Sequence, residues 1–300
     1  MERVNLQEGW RFAKANSNEW TPVSVPGTVL SGLLEAGKMQ DPYYRENEYE
    51  ARELLAKDYV FETDFCISEE QLNKKHCVLV CEGLDTLADV YVNEKLVGKA
   101  DNMHRTWRFD CKDALQKENH LRIYFHSALT YIREYEATPG KEITYEPTGG
   151  ILGNQYIRKA HSMFGWDWGP ALADMGIYRP LSLKAYDGGR ITDLSVRQEH
   201  SFGKVKLFCT AETESYRAGK KLRFSVYDPE GALIEIETYG LEEGAETFVC
   251  TVQNPRLWWC IGYGEQPLYT VKAEILNEKE EVLHEVSHRI GLRTLTICQE

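Results

Sequence analysis

The chain has 300 residues, of which 42% are hydrophobic and 27% charged, with a formal net charge of −12. This composition excludes wholesale disorder and a coiled coil, and the length leads to an expectation of two domains. The negative charge, with no basic cluster interleaved with aromatics, argues against nucleic acid as a partner. No run approaches the roughly eighteen apolar residues of a membrane span, and Met1 to Asn5 opens no secretory signal. The expectation is a cytoplasmic protein that engages no membrane, with its eight cysteines as thiols.

Alternation with a period of two dominates the sequence, so the expected fold class is all-β. A short helix is expected over Thr28 to Ala36, with Val29, Leu30, Leu33 and Leu34 on one face and Gly37 ending it. Strands are expected over Lys57 to Cys66, Cys77 to Glu82, Leu87 to Asn93, Thr106 to Cys111, Leu121 to Ser127 and Tyr178 to Tyr186. Cys77 and Cys81 beside His76 invite a metal reading, but their alternation with Val78 and Val80 favours core positions, where a thiol acts as a small hydrophobe. Ala128 to Ile177 carries little strand pattern and much Gly, Tyr and Trp. A loop of that length inside a compact domain is usually functional.

Asp187 to Gly189 breaks the pattern, which divides the chain into domains 1–187 and 188–300. Beyond it come short runs that include Val205 to Ala211, Leu222 to Val226, Leu233 to Tyr239, Thr247 to Val252, Leu268 to Leu276 and Val282 to Ile290. About seven short strands over roughly a hundred residues is the requirement of an immunoglobulin-like sandwich. Cys209 and Cys250 are read as core thiols in preference to a bridge, and His200, His284 and His288 as solvated positions.

No phosphate-binding loop, dinucleotide fingerprint or zinc spacing is present, so neither a cofactor nor a metal is expected. The distinctive segment is Met163 to Pro170, where Trp166 and Trp168 flank Asp167. Indole faces stack on the C–H patches of a pyranose and a carboxylate accepts two hydroxyl hydrogen bonds, so this is a candidate sugar site. Two core tryptophans around a turn-capping aspartate are the competing reading. Glu82, Asp85 and Asp89 read as a structural hairpin more than as an acid/base pair. Arg158 and Lys159 are open between anion binding and salt bridging, and Asp41 to Glu48 reads as an aromatic loop packed on something else.

Taken in order, several strings resemble the β-mannosidases of glycoside hydrolase family 2. They are Trp20 with Val25 to Val29, Asp41 to Glu48, Glu82 to Tyr91, Ala100 to Arg105, Arg158 to Ala160 leading into Phe164 to Pro170, Leu257 to Trp259 with Gly262 to Tyr269, and Arg289 to Thr294. Cys260-Ile261 departs from the pattern, in which a proline usually follows the two tryptophans. The resemblance implies a jelly-roll, galactose-binding-like β-sandwich, then an immunoglobulin-like β-sandwich, then a catalytic barrel that this sequence does not include. It implies no catalytic residue here. Asp167, Trp166 and Trp168 become substrate-binding residues that complete a mannose subsite for a β-mannoside or manno-oligosaccharide. A free-standing carbohydrate-binding protein is the alternative.

Overall fold

The computed structural model describes residues 2–136, 150–167, 169–214 and 220–298. Its contacts divide it into two compact units, Glu2–Tyr186 and Asp187–Glu300. No helix among the described residues is long and apolar enough to cross a membrane.

The first unit is built on two antiparallel sheets. One has the order Glu2–Asn5, Leu181–Tyr186, His76–Cys81, Trp107–Asp110. The other runs Thr21–Pro22, Arg11–Lys14, Tyr59–Cys66, Glu118–His126, Leu87–Val92, Lys95–Ala100. Their inward faces feed one hydrophobic cluster: Leu79, Cys81 and Leu183 from the first sheet, and Phe61, Val90, Ile123 and Phe125 from the second. Phe61 stacks on Phe12 at 5.3 Å and meets Phe125 edge-on at 5.4 Å, the geometries aromatic quadrupoles favour. The strand Glu118–His126 alternates buried and half-buried residues, as a strand with one face in the core must.

The expected helix spans Val29–Glu35. Thr28 caps it, its hydroxyl accepting from the Ser31 amide while the Ser31 hydroxyl takes the Thr28 N–H. Its buried face is Val29, Leu30, Gly32 and Leu33; Leu34 instead faces solvent, because Gly32 packs against Phe12 and Val23 with no room for a side chain there. Two further helices correct the sequence reading. Asn47–Leu55 buries only Ala51 and Leu55, one turn apart, and its many charges hide that stripe. Ala128–Glu136 occupies the start of the expected long loop, with Ala128, Leu129 and Ile132 buried and the Ser127 hydroxyl accepting from the Thr130 amide.

A third, small sheet matters most for the site. Its strands Gly27–Thr28, Gly176–Ile177 and Leu84–Asp85 tie the helix entry, the end of the long excursion and the Glu82 to Asn93 segment together.

The second unit has seven strands among its described residues. One sheet contains Arg190–Ser201, Lys204–Glu214 and Gly244–Gln253, the other Leu233–Gly240, Lys221–Tyr227, Tyr269–Leu276 and Val282–Ile290. Phe224, Phe248, Leu207, Val271 and Ile275 lie in its own core. The strand Arg190–Ser201 escaped the sequence reading because only Ile191 and Leu194 of its twelve residues are buried.

All eight cysteines are free. Cys77, Cys81, Cys111, Cys209 and Cys250 are buried, and burial pushes the Cys111 and Cys209 thiols up to about 12. No cluster of metal-ligating side chains occurs among the described residues. His284 corrects the solvated reading: its Nδ1 accepts the Ile191 amide at 2.9 Å. The loop carrying Cys260-Ile261 is ordered. The Trp259 amide donates to Glu265 at 2.8 Å, the Trp258 amide donates to Leu292 at 3.1 Å, and Arg293 lies 3.9 Å over the Trp259 ring.

Candidate functional site

The long excursion is anchored at both ends and turns outward in the middle. Phe164 is fully buried, and its carbonyl accepts the Ile151 amide at 2.7 Å. Gly165 follows with φ +79°, and a Cβ there would lie 2.7 Å from that of Ala171, so this position calls for glycine on both counts. The Gly169 amide then donates to the Trp166 carbonyl at 3.3 Å and closes a tight turn. After it, Ala171 and Ala173 are buried, and the Ala171 carbonyl accepts from Arg52 Nε at 3.1 Å.

Asp167 stands at the outer corner of this turn with its side chain exposed. Trp166 is half-buried and lines a cavity of about 450 Å3 with Asn154, Gln155, His161, Ser162, Gly165 and Pro170. The structure thus places an indole in the wall of a cavity and an exposed carboxylate on the next residue of the chain. Trp168 lies outside the described residues. The other candidates do not join this group. Of the early aromatic loop Pro42 is buried, while Tyr43 and Tyr44 are exposed. Glu82 pairs with Arg3 at 3.6 Å and Asp89 with Lys99 at 3.0 Å, each at its own surface.

Of the two readings left open for Lys159, the structure gives the salt bridge, with Asp85 as a partner that the sequence did not reveal. The Lys159 side chain is wholly buried; its Nζ donates to Asp85 Oδ2 at 2.6 Å and to the Asp174 carbonyl at 2.5 Å. One ammonium therefore joins residues 159 and 174, which bracket the Trp166 to Gly169 turn, to the small sheet. Desolvation pulls the Lys159 ammonium down from its ordinary value, against the pull of the two carboxylates. Asp174, also buried, accepts the Leu30 amide at 3.2 Å and the Met175 amide at 2.8 Å, which fastens the excursion to the helix Val29–Glu35.

Burial pushes the Asp174 carboxyl up to about 6, although Thr28, the two amides and Lys159 all favour its ionised form. In an unfolded chain the group titrates near 3.9, so the folded form holds more proton between about pH 4 and 6. Its contribution to stability is full below that window and lost as pH rises through it. Asp174→Asn keeps an acceptor for both amides and removes the titration. Urea titrations from pH 4 to 7 should show the parent losing about 2–3 kcal/mol relative to this variant; parallel curves would show that the carboxyl is not desolvated.

Two family models cover most of the chain: the galactose-binding domain-like region of glycosyl hydrolase 2 matches residues 10–179, and glycosyl hydrolases family 2 matches residues 189–293. The chain belongs to glycosyl hydrolase family 2. Its relatives in that family include β-mannosidase B of Neosartorya fischeri, 32% identical over 311 residues, and β-mannosidase B of Aspergillus fumigatus, also 32% identical. Each match covers all of this chain and 36% of the relative. The crystal structure of β-D-mannosidase from Dictyoglomus thermophilum superposes with a TM-score of 0.88 at 32% identity, over 98% of this chain and 36% of that one. A putative β-galactosidase from Bacteroides fragilis shares the fold at a TM-score of 0.69 and 19% identity. The galactose-binding-like and immunoglobulin-like sandwiches of family 2 are thus the two units described above.

Proposed function

We propose that this chain is the non-catalytic part of an exo-acting, retaining β-mannosidase, and that its Trp166–Asp167 turn completes the subsite for the terminal β-mannose. The observation that carries the reading is half-buried Trp166 lining a cavity, followed directly by the exposed Asp167, in a chain 32% identical to β-mannosidases. The indole supplies a face for the C–H patch of the ring, and the carboxylate accepts hydroxyls away from the bond to be cleaved. Trp168 is included in the proposal by its place in the same motif.

Hydrolysis with retention needs two carboxyl groups about 5–5.5 Å apart, flanking the glycosidic oxygen on a rigid frame. No Asp or Glu lines the Trp166 cavity among the described residues, and the buried Asp85 is committed to Lys159. Chemistry therefore falls to a catalytic barrel beyond these residues, and residues 1–300 alone are expected to be inactive. Turnover of an aryl β-mannoside tests this. The gene product carrying a barrel after residue 300 should release mannose, and residues 1–300 should not. Appreciable hydrolysis by residues 1–300, abolished by a substitution within them, would overturn the reading. If the gene product carries no barrel and residues 1–300 bind mannosides tighter than about 0.1 mM, roughly −5.5 kcal/mol, the chain is a carbohydrate-binding module.

A further inference from the structure

The space beside Trp166 does not end at His161. A second cavity of about 620 Å3 adjoins it, and Gln155 and His161 line both. The segment 155–161 forms one wall. The other comes from the Asn102 region, where the Met103 amide donates to the Arg158 carbonyl at 3.0 Å and Asn102 bridges to Arg158. Each volume lies in the range of ligand pockets, so the pair has room for a ligand larger than one ring.

The lining chemistry is one-sided. Arg158, His104 and His161 are exposed, and none of their side chains has a carboxylate partner among the described residues. Among the described residues no Asp or Glu lines either cavity, although the chain carries 47 acidic residues. Asp101, next to Asn102 in sequence, lines a different cavity, and the Lys159 ammonium is taken by Asp85. Asp167 follows Trp166 in the chain and lines neither cavity. Gln155 adds a second kind of contact. Both polar atoms of its side-chain amide are sealed from solvent without a hydrogen-bond partner, so no bond holds the present rotamer against turning toward either cavity.

We propose that the second cavity is a subsite for an acidic sugar unit, carrying a carboxylate or a phosphate ester, linked to the ring held at Trp166 and Asp167. The guanidinium of Arg158 matches an oxyanion with two parallel N–H bonds, the imidazoles add N–H donors, and the Gln155 amide takes a hydroxyl. The proposal rests on the sugar-binding reading of the Trp166–Asp167 turn.

The test is a titration of residues 1–300 followed by NMR of the side-chain N–H resonances of Gln155, Arg158 and Trp166, assigned by their loss in single substitutions. The probes are methyl β-D-mannoside, methyl β-D-glucuronide, mannose 6-phosphate and inorganic phosphate at constant ionic strength. The glucuronide or the phosphate ester should move the Gln155 and Arg158 signals and bind about tenfold tighter than methyl β-D-mannoside, the scale of one charge-assisted hydrogen bond. Which of the two does so identifies the acid. Arg158→Gln should remove the preference, and Asp167→Ala should leave it. Equal affinity for charged and neutral sugars, a preference that survives Arg158→Gln, or inorganic phosphate binding as tightly as its ester would overturn the subsite. Failure of the mannoside to move the Trp166 signal, with the acid preference intact, counts against the turn and supports the subsite.

Discussion

Lys159→Ala should lower the stability of the unit Glu2–Tyr186 by about 3–5 kcal/mol, the cost of stranding a buried charge whose partner is removed. The substitution leaves the Asp85 carboxylate, 2% exposed, with the Thr86 hydroxyl as its remaining side-chain hydrogen-bond donor among the described residues. It also strips a donor from the Asp174 carbonyl. Asp85→Asn, which keeps an acceptor for the ammonium and removes the charge, should be milder than Lys159→Ala. A joint replacement, Lys159→Met with Asp85→Leu, should recover much of the loss, because a buried ion pair gains little over well-packed apolar groups of similar volume. Urea denaturation of the four proteins measures these differences. A Lys159→Ala loss below about 1 kcal/mol would place the ammonium in contact with water, contrary to its complete burial.

Asp167→Ala should leave stability within about 0.5 kcal/mol, since the side chain is exposed. In the intact β-mannosidase proposed above, its effect should fall on catalysis. A hydrogen bond to a charged acceptor contributes about 1.5–3 kcal/mol, and loss of one or two should cut kcat/KM for an aryl β-mannoside by tens- to thousands-fold. Asp167→Asn, which retains one acceptor oxygen, should fall between. The pairing of a silent melt with a large kinetic defect separates a ligand-holding carboxylate from a turn-forming one. Unchanged kinetics in Asp167→Ala would remove the residue from the subsite.

These two residues also mark what the sequence makes legible. Asp167 stood out because its meaning is local: two indoles and a carboxylate within three positions, followed by Gly169 and Pro170, describe a turn with a sugar-binding grammar. The helix Val29–Glu35 was legible for the same reason, its cap and apolar spacing both lying within one short segment. Lys159 was not. Beside Arg158 it looks like half of a basic surface pair, and its burial depends on a carboxylate 74 residues earlier in the chain. No periodicity carries that distance. Asp174 was missed for a related reason, since it is held by the amides of Leu30 and Met175 and by proximity to Thr28 and Lys159, partners the fold alone assembles. Helix Asn47–Leu55 was obscured by composition, with Glu48, Glu50, Arg52 and Glu53 surrounding a stripe only two residues deep.

Fastening the two stretches that bracket the Trp166 turn to one ammonium has an entropic corollary. A flexible loop surrenders its conformational freedom at the moment of capture and weakens the association accordingly. Here that freedom is given up once, during folding, so under the function proposed above a sugar meeting Trp166 would find the arrangement already in being. Loosening the base at Lys159 would then shift selectivity toward ligands that tolerate a wandering rim, without altering any atom that touches them.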